Sequence, residues 1–314
     1  MSEARPDRVP STFVISYTPF GDDGSLDENR IRRHLRRFAE AGLGAYVCGS
    51  GSGEAYTLDE GEMQQLLEVS VDELSGRVPV RAMGTEPRTA KQMQRFVAMA
   101  TEAGVDAVQV YSLDAGHGTV VAPAELEWYY NEVLSSTHIP VVLSTHVSVG
   151  YLQPVDLLAK MVDRYQHVIG VNCTTPDVMY IARLVDALPT HVDVHVGGPS
   201  LALDALALGA NGYLSSEGNI APRLCQSLIT AYAAGDLAAT VDAYRRIMRL
   251  FTANMSVEFV TAGRAELELL GCSAGPPRAP RARLTDPAAL ERLASVLDEL
   301  DIRGVEQIGV PSAE

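Results

Sequence analysis

The sequence contains little lysine, few cysteines and no long hydrophobic run. Of its 25 lysine and arginine residues, only Lys91 and Lys160 are lysines. The four cysteines, at positions 48, 173, 225 and 272, form no CxxC pair and lack the Cys/His spacing of zinc sites. This pattern favours reduced thiols and a cytoplasmic location. The first residues, MSEARPDRVPS, lack the apolar core of a signal peptide, and no run approaches the ~18 apolar residues of a membrane span.

Acidic residues dominate the charged positions. The chain of 314 residues is 46% hydrophobic and 21% charged, with a formal net charge of −15. This composition is typical of a globular protein that buries a large core. Nucleic acids and anionic membranes bind basic surfaces, so we expect neither as a partner. A small-molecule substrate fits the composition better.

Short β-rich runs alternate with amphipathic helical segments along most of the chain. Eight runs have the character of strands: 12–18, 44–50, 78–84, 106–112, 139–145, 167–173, 191–197 and 211–217. Most are apolar without strict alternation, as expected for strands that are covered on both faces. Eight β-then-α units predict an α/β protein with a (β/α)8 TIM barrel, and no GxGxxG motif supports an open nucleotide-binding sheet.

The helical segments predict the domain organisation. In segment 57–74 we expect the Thr57 hydroxyl to cap the helix and Glu60 to complete a capping box. Four helical segments follow the last strand, at 221–234, 237–252, 255–271 and 286–299. We therefore expect a disordered N-terminal tail over 1–10, the barrel over 11–222 and a C-terminal helical region over 223–314.

The predicted strand ends indicate where a site lies, because TIM barrels carry their active sites at the C-terminal ends of the strands. These ends are rich in hydroxyl groups, glycines and imidazoles, and poor in cations. They predict a site that binds a small oxygenated molecule through neutral hydrogen-bond donors. The residues expected to bind substrate are Thr18, Ser50, Ser52, Asp114, Thr174, Gly197 and Ser215.

Several longer motifs lie almost end to end along the chain. They include TPFGDDGSLD (18–27), GSGSGEAYTLDEGE (49–62), VIGVN (168–172) and, most specifically, GGPSLALDALALGANGYLSSEGNIAP (197–222). Together they resemble the dihydrodipicolinate synthase / N-acetylneuraminate lyase family of class I aldolases. The resemblance implies a (β/α)8 barrel with C-terminal helices and a homo-oligomer, either a dimer or a tetramer built from dimers. It also implies aldol cleavage or condensation, which this family usually performs through a pyruvate Schiff base.

The resemblance places Asn172 where the family carries its Schiff-base lysine. An amide nitrogen cannot form an imine, because its lone pair is delocalised into the carbonyl group. Lys91 is expected on the third helix and Lys160 on the helix after the fifth strand, so neither should lie at a strand end. The family's proton-shuttling tyrosine falls on Ser144, and its carboxylate-binding arginine falls on Val149.

Four residues are candidates for the catalytic groups. Asn172 is expected to orient a substrate oxygen or to stabilise an oxyanion through its side-chain N–H. His146, after the fifth strand, and His117, in a Gly-His-Gly loop, are candidate general acids or bases. Ser144 shares a strand face with His146, which also suggests a hydrolase pair, although no elbow motif surrounds the serine and no acid orients the histidine.

These observations favour a lyase that acts on a small oxygenated carbonyl compound without a Schiff base. Aldol cleavage or addition, hydration or dehydration, and isomerisation all fit such a site. One alternative is a catalytically inactive relative that binds a metabolite or a partner. A weaker alternative is a metal-dependent aldolase in which Asp114, His117 and His146 hold a divalent ion. The favoured hypothesis needs no metal or other cofactor.

Overall fold

Eight parallel strands close into a barrel in the order of the sequence, and the last strand, β8, pairs with the first, β1. The computed structural model describes residues 8–309. The strands are β1 (Ser11–Ile15), β2 (Gly44–Val47), β3 (Val80–Ala82), β4 (Ala107–Val110), β5 (Val141–His146), β6 (Val168–Thr174), β7 (Asp193–Gly197) and β8 (Gly212–Ser215). A helix follows each strand, so the predicted TIM barrel is confirmed.

The helices cover the outside of the barrel and continue past it. Those that follow the strands are α1 (Glu28–Ala41), α2 (Glu60–Leu74), α3 (Ala90–Ala103), α4 (Pro123–Ser135), α5 (Val155–Arg164), α6 (Val178–Ala187), α7 (Ala202–Ala207) and α8 (Pro222–Ala233). The C-terminal helices are α9 (Leu237–Met255), α10 (Phe259–Leu270), α11 (Pro287–Glu299) and the short α12 (Ile302–Val305). None of the helices within residues 8–309 combines the length and the apolar character needed to cross a bilayer.

The start of α2 differs from the sequence prediction. Asp59, not Thr57, is the N-cap: its carboxylate accepts the Glu62 N–H at 2.8 Å, and the Glu62 carboxylate accepts the Asp59 N–H at 3.1 Å. Thr57 ends a short 3₁₀ turn, in which its hydroxyl donates to the Glu54 carbonyl at 2.8 Å. The predicted Thr57–Glu60 box is therefore wrong by two residues, because the Thr57 hydroxyl is already used within the preceding turn.

Alternate residues of the strands face different cores. On β6, Val171 and Cys173 pack in the large core between the strands and the helices, whereas Asn172 faces the barrel interior. Cys48 belongs to the same outer core. A smaller apolar cluster fills the interior, formed by Phe13, Tyr46, Met83, Tyr111 and Leu214. The barrel interior is thus a packed core, and TIM barrels carry their ligand sites at the C-terminal ends of the strands.

A buried ion pair joins the barrel to the C-terminal helices. Glu54 follows β2 and Arg264 lies on α10; their side chains are 0% and 2% exposed. The Arg264 Nε donates to the Glu54 carboxylate at 3.0 Å, and Nη2 donates to the Thr18 carbonyl at 2.8 Å. Breaking such a pair leaves a buried charge uncompensated, so this contact fixes α10 against the strand ends.

Arg8, three residues before β1, packs at the opposite end of the barrel. Arg8 is buried, and its guanidinium donates to the carbonyls of Val192 at 2.9 Å, Leu188 at 2.9 Å and Gly209 at 3.1 Å. Of the tail predicted over 1–10, residues 1–7 lie outside the described residues. Arg8 itself is packed onto the loops next to β7 and β8.

Candidate active site

A cavity of about 470 Å³ opens at the C-terminal ends of the strands. The structure brings seven of the predicted site residues to it, namely Ser50, Ser52, Ser144, His146, Asn172, Thr174 and Gly197. Phe251 and Met255 of α9 and Phe259 of α10 form an apolar wall. A depression of about 600 Å³ on the outer surface beside α2 and α3 contains none of the predicted site residues. The barrel-mouth cavity is therefore the candidate active site.

Asn172 is almost fully buried at the inner end of this cavity. Its amide nitrogen donates to the Tyr46 hydroxyl at 3.1 Å and to Gln109 Oε1 at 2.6 Å, which uses both N–H bonds. The amide oxygen, Oδ1, is buried and has no hydrogen-bond partner. In this arrangement Asn172 offers an acceptor to a ligand. It can orient a substrate hydroxyl, but its N–H groups do not reach a substrate oxyanion.

Arg81 supports Tyr46 and Asn172 from deeper in the barrel. Its guanidinium lies 4.1 Å from the centre of the Phe13 ring and donates to the Tyr46 hydroxyl at 3.2 Å. Asp193 accepts a further hydrogen bond from Arg81 at 3.4 Å. The arginine charge is therefore paired below the cavity and is not presented to a ligand.

The two lysines lie on outer helices, away from Asn172. Lys91 is exposed on α3, and Lys160 is exposed on α5, where its ammonium group lies 2.6 Å from Glu127. No lysine or arginine lines the cavity among residues 8–309. The site is therefore rich in hydroxyl and carboxyl groups and has no cationic side chain of these two types.

His146 lies at the rim with a defined tautomer. Its Nδ1 accepts the Ser148 backbone N–H at 3.0 Å, so the neutral ring carries its proton on Nε2. Burial lowers the pKa of His146, and the Glu86 carboxylate opposes this shift only in part. The ring is therefore neutral at pH 7. It can donate a hydrogen bond from Nε2, and its Nδ1 is not free to act as a base.

Two carboxyl groups that the sequence analysis did not single out also line the cavity. Glu86, in the loop after β3, accepts the Ser50 hydroxyl at 2.8 Å. Glu217 follows β8 and accepts the Ser215 hydroxyl through Oε2 at 3.1 Å, while its Oε1 is buried without a partner. Burial raises the pKa of Glu217 to about 7. Glu86 lies two residues beyond the predicted strand 78–84, and Glu217 is the last residue of the predicted strand 211–217, so chain position was the available signal.

Thr174 and Gly197 meet across the ends of β6 and β7. A Cβ at Gly197 would lie 2.0 Å from Thr174 Oγ1, so only glycine leaves room for this hydroxyl. On the other side of the cavity, the Ser52 and Ser216 hydroxyls lie 2.5 Å apart. The lining hydroxyls are thus held close to one another by backbone geometry and by mutual hydrogen bonds.

The structure does not bring four of the predicted residues to the cavity lining. The Thr18 hydroxyl is fully buried and donates to the Gly53 carbonyl at 2.6 Å. Ser215 holds Glu217 and accepts the Gly218 N–H at 2.9 Å, so it supports the site from behind. Asp114 accepts the Gly116 N–H at 2.8 Å within its own loop. His117 is exposed there, with a left-handed φ of 54°.

The predicted metal ligands do not converge. Within residues 8–309, no group of three or more His, Cys, Asp or Glu side chains is placed to hold a metal ion. Asp114 and His117 remain in the loop after β4, whereas His146 lies at the cavity rim. The metal-dependent alternative therefore lacks a ligand set in this part of the chain.

Comparison with known proteins identifies the family. The model of the Dihydrodipicolinate synthetase family matches residues 10–299. The chain is 27% identical over 279 residues to 4-hydroxy-tetrahydrodipicolinate synthase of Methanopyrus kandleri, covering 87% of this chain and 90% of the relative. It is 30% identical over 317 residues to an enzyme of Streptomyces coelicolor named Probable 5-dehydro-4-deoxyglucarate dehydratase 2, covering 97% and 92% of the two chains.

A solved structure confirms the fold. Dihydrodipicolinate synthase from Aquifex aeolicus superposes with a TM-score of 0.85 at 24% identity, over 93% of this chain and 98% of the other. The family match spans the barrel and most of the C-terminal helical region. The chain therefore belongs to the dihydrodipicolinate synthetase family of lyases.

Proposed function

We propose that this chain is a lyase that acts on a small oxygenated carbonyl compound without forming a lysine imine. The observation that carries the proposal is the environment of Asn172. An amide occupies the inner end of the cavity, with both N–H groups bound to Tyr46 and Gln109. An imine requires an amine within bonding reach of the carbonyl carbon, and both Lys91 and Lys160 are exposed on outer helices.

The charge of the cavity supports an uncharged substrate. Its polar lining consists of hydroxyls, two carboxyl groups, amides and one neutral imidazole. A substrate carboxylate would approach Glu86 with no lysine or arginine in the lining to balance it, and like charges repel strongly in a partly desolvated site. A hydroxylated aldehyde or ketone can instead bind through the hydroxyl groups and Asn172 Oδ1.

The neutral N–H of His146 supports carbonyl chemistry. Aldol cleavage, dehydration and isomerisation each place negative charge on a carbonyl oxygen. A fixed neutral donor stabilises that charge through a hydrogen bond. A neutral histidine can donate this bond from Nε2 without first losing a proton. The structure supports this group of reactions as a class. The inactive alternative predicts ligand binding at the same cavity without turnover.

Borohydride trapping tests the absence of an imine. The protein is incubated with pyruvate or with hydroxyacetone, reduced with borohydride and analysed by mass spectrometry. We expect no covalent adduct, because no lysine reaches the cavity. Asn172→Lys is the matched control, since it places an amine at the same position and should gain an adduct with hydroxyacetone. An adduct on Lys91 or Lys160 of the wild-type protein would contradict the proposal.

A further inference from the structure

We propose that Glu217 is the residue that transfers the substrate proton in this cavity. The sequence resemblance assigned no role to this position, and the proton-transfer role rests on the proposed carbonyl chemistry. Glu217 belongs to the 3₁₀ turn Glu217–Asn219 directly after β8. It lines the cavity although only 1% of the residue is exposed, so a bound ligand would exclude the remaining water from it.

The turn that carries Glu217 is held by the β1 segment and by α1. Asn219 accepts the Tyr17 N–H at 2.8 Å and donates to the Ile15 carbonyl at 2.8 Å, which fixes the turn to β1. Arg37 of α1 donates to the Asn219 carbonyl at 2.6 Å. A group that exchanges protons with a substrate must be held in a fixed position, and this turn provides that rigidity.

The side chain of Glu217 has one oxygen held and one oxygen free. The Ser215 hydroxyl binds Oε2, and Oε1 has no partner. Phe251, Met255 and Phe259 line the same cavity and supply its apolar wall. A carboxyl group in apolar surroundings prefers its neutral form, and this preference makes its carboxylate a stronger base.

The groups that face Glu217 do not compete for the same proton near neutral pH. Burial raises the pKa of Cys225 to about 12 and holds those of Tyr17 and Tyr213 well above their ordinary value. The Arg264 charge is paired with Glu54. His146, which lines the same cavity, has a lowered pKa and is already neutral.

Glu266 of α10 is the remaining acidic neighbour. It is fully buried beside Asn254, and burial together with repulsion from Glu217 holds its pKa well above the ordinary range. Glu266 therefore favours its neutral form. Because glutamine also carries no charge, Glu266→Gln is the matched control for Glu217→Gln.

The proton transfer needs only groups of the substrate and of this cavity. The Glu217 carboxylate takes a proton from the carbon next to the substrate carbonyl. The C–H electron pair forms a C=C bond, and the carbonyl π pair moves to the oxygen, where the His146 Nε2–H binds it. Protonated Glu217 then returns a proton to the enolate carbon or to a departing group. No oxidant, reductant or further reactant is required.

The first test follows the Glu217 proton directly by infrared difference spectroscopy of the full-length protein. We expect a carboxylic acid C=O band to disappear with a midpoint near pH 7, because burial raises the pKa of Glu217 to about 7. The pH-dependent band should be lost in Glu217→Gln and kept in Glu266→Gln. A wild-type protein with no carboxyl group titrating between about pH 6 and 8 would overturn the proposal, whatever the variants do.

The second test measures exchange of the α-protons of hydroxyacetone in D₂O by NMR. We expect the wild-type rate to rise with pH through about 7, to fall at least ~100-fold in Glu217→Gln, and to stay within about 3-fold in Glu266→Gln. Exchange that survives in Glu217→Gln with its pH profile intact would overturn the role of Glu217 and leave the proposed function standing. A wild-type protein without exchange would overturn both.

Discussion

At the scale of single residues, buried titratable groups make the stability of this protein depend on pH in two opposite ways. The folded-state pKa of Glu217 is raised from 4.5 to about 7, so the folded protein binds more protons than the unfolded chain between these values. Stability contributed by protonated Glu217 is therefore lost as pH rises through about 7. Burial lowers the pKa of His195 to about 3, so this ring stays neutral in the folded protein while the unfolded chain takes up a proton. The stability that comes from neutral His195 is therefore lost as pH falls below about 6.5.

Glu217→Gln should separate these two effects. Glutamine resembles the neutral carboxyl group, so the variant avoids the cost of ionising a buried acid. We expect its free energy of unfolding to exceed that of the wild type by about 3 kcal/mol at pH 8 and to match it near pH 4.5. Urea denaturation at the two pH values measures the difference. A variant less stable than the wild type at pH 8 would contradict the assignment.

The residue scale is also where sequence reasoning was least complete. It identified the hydroxyl-rich strand ends and Asn172, because both follow from chain position. It could not show that Tyr46 and Gln109, 126 and 63 residues away, occupy both Asn172 N–H groups. Glu217 was missed because a glutamate beside serines is usually solvated, and local sequence does not show that α8 and α9 pack against its turn.

At the scale of secondary-structure elements, the N-terminus of α2 offers a direct comparison between two overlapping capping motifs. We expect Asp59→Ala to lower the free energy of unfolding by about 1 kcal/mol, because the Glu62 N–H loses its acceptor. Thr57→Val is the control, since the Thr57 hydroxyl bonds only within the preceding turn. Chemical denaturation of both variants measures the difference. A larger loss for Thr57→Val would restore the original sequence prediction.

Element boundaries were otherwise well predicted where a local signal exists. Helix α1 ends at Gly42 with φ of 76°, a conformation that favours glycine and makes this residue a local signal for a helix end. The capping error arose because Thr57 and Asp59 each precede a glutamate by three residues. Local sequence cannot decide between these two capping positions. The choice depends on the Glu54 carbonyl, which binds the Thr57 hydroxyl.

At the scale of the whole molecule, the barrel was predictable because eight repeated β-then-α units leave few other topologies. The assembly of several chains is a separate prediction, drawn from the family resemblance. We expect light scattering coupled to size-exclusion chromatography to give two or four times the chain mass of 33.7 kDa. A particle of one chain mass at micromolar concentration would contradict the dimer or tetramer.

The seam between β1 and β8 has a consequence for how the protein is made. Arg8 binds the Gly209 carbonyl across 201 residues of sequence, and Ser11 of β1 pairs with Gly212 of β8. During translation, one edge of β1 stays unpaired until β8 has left the ribosome. We therefore expect nascent chains that stall before that point to be sensitive to protease and to bind chaperones.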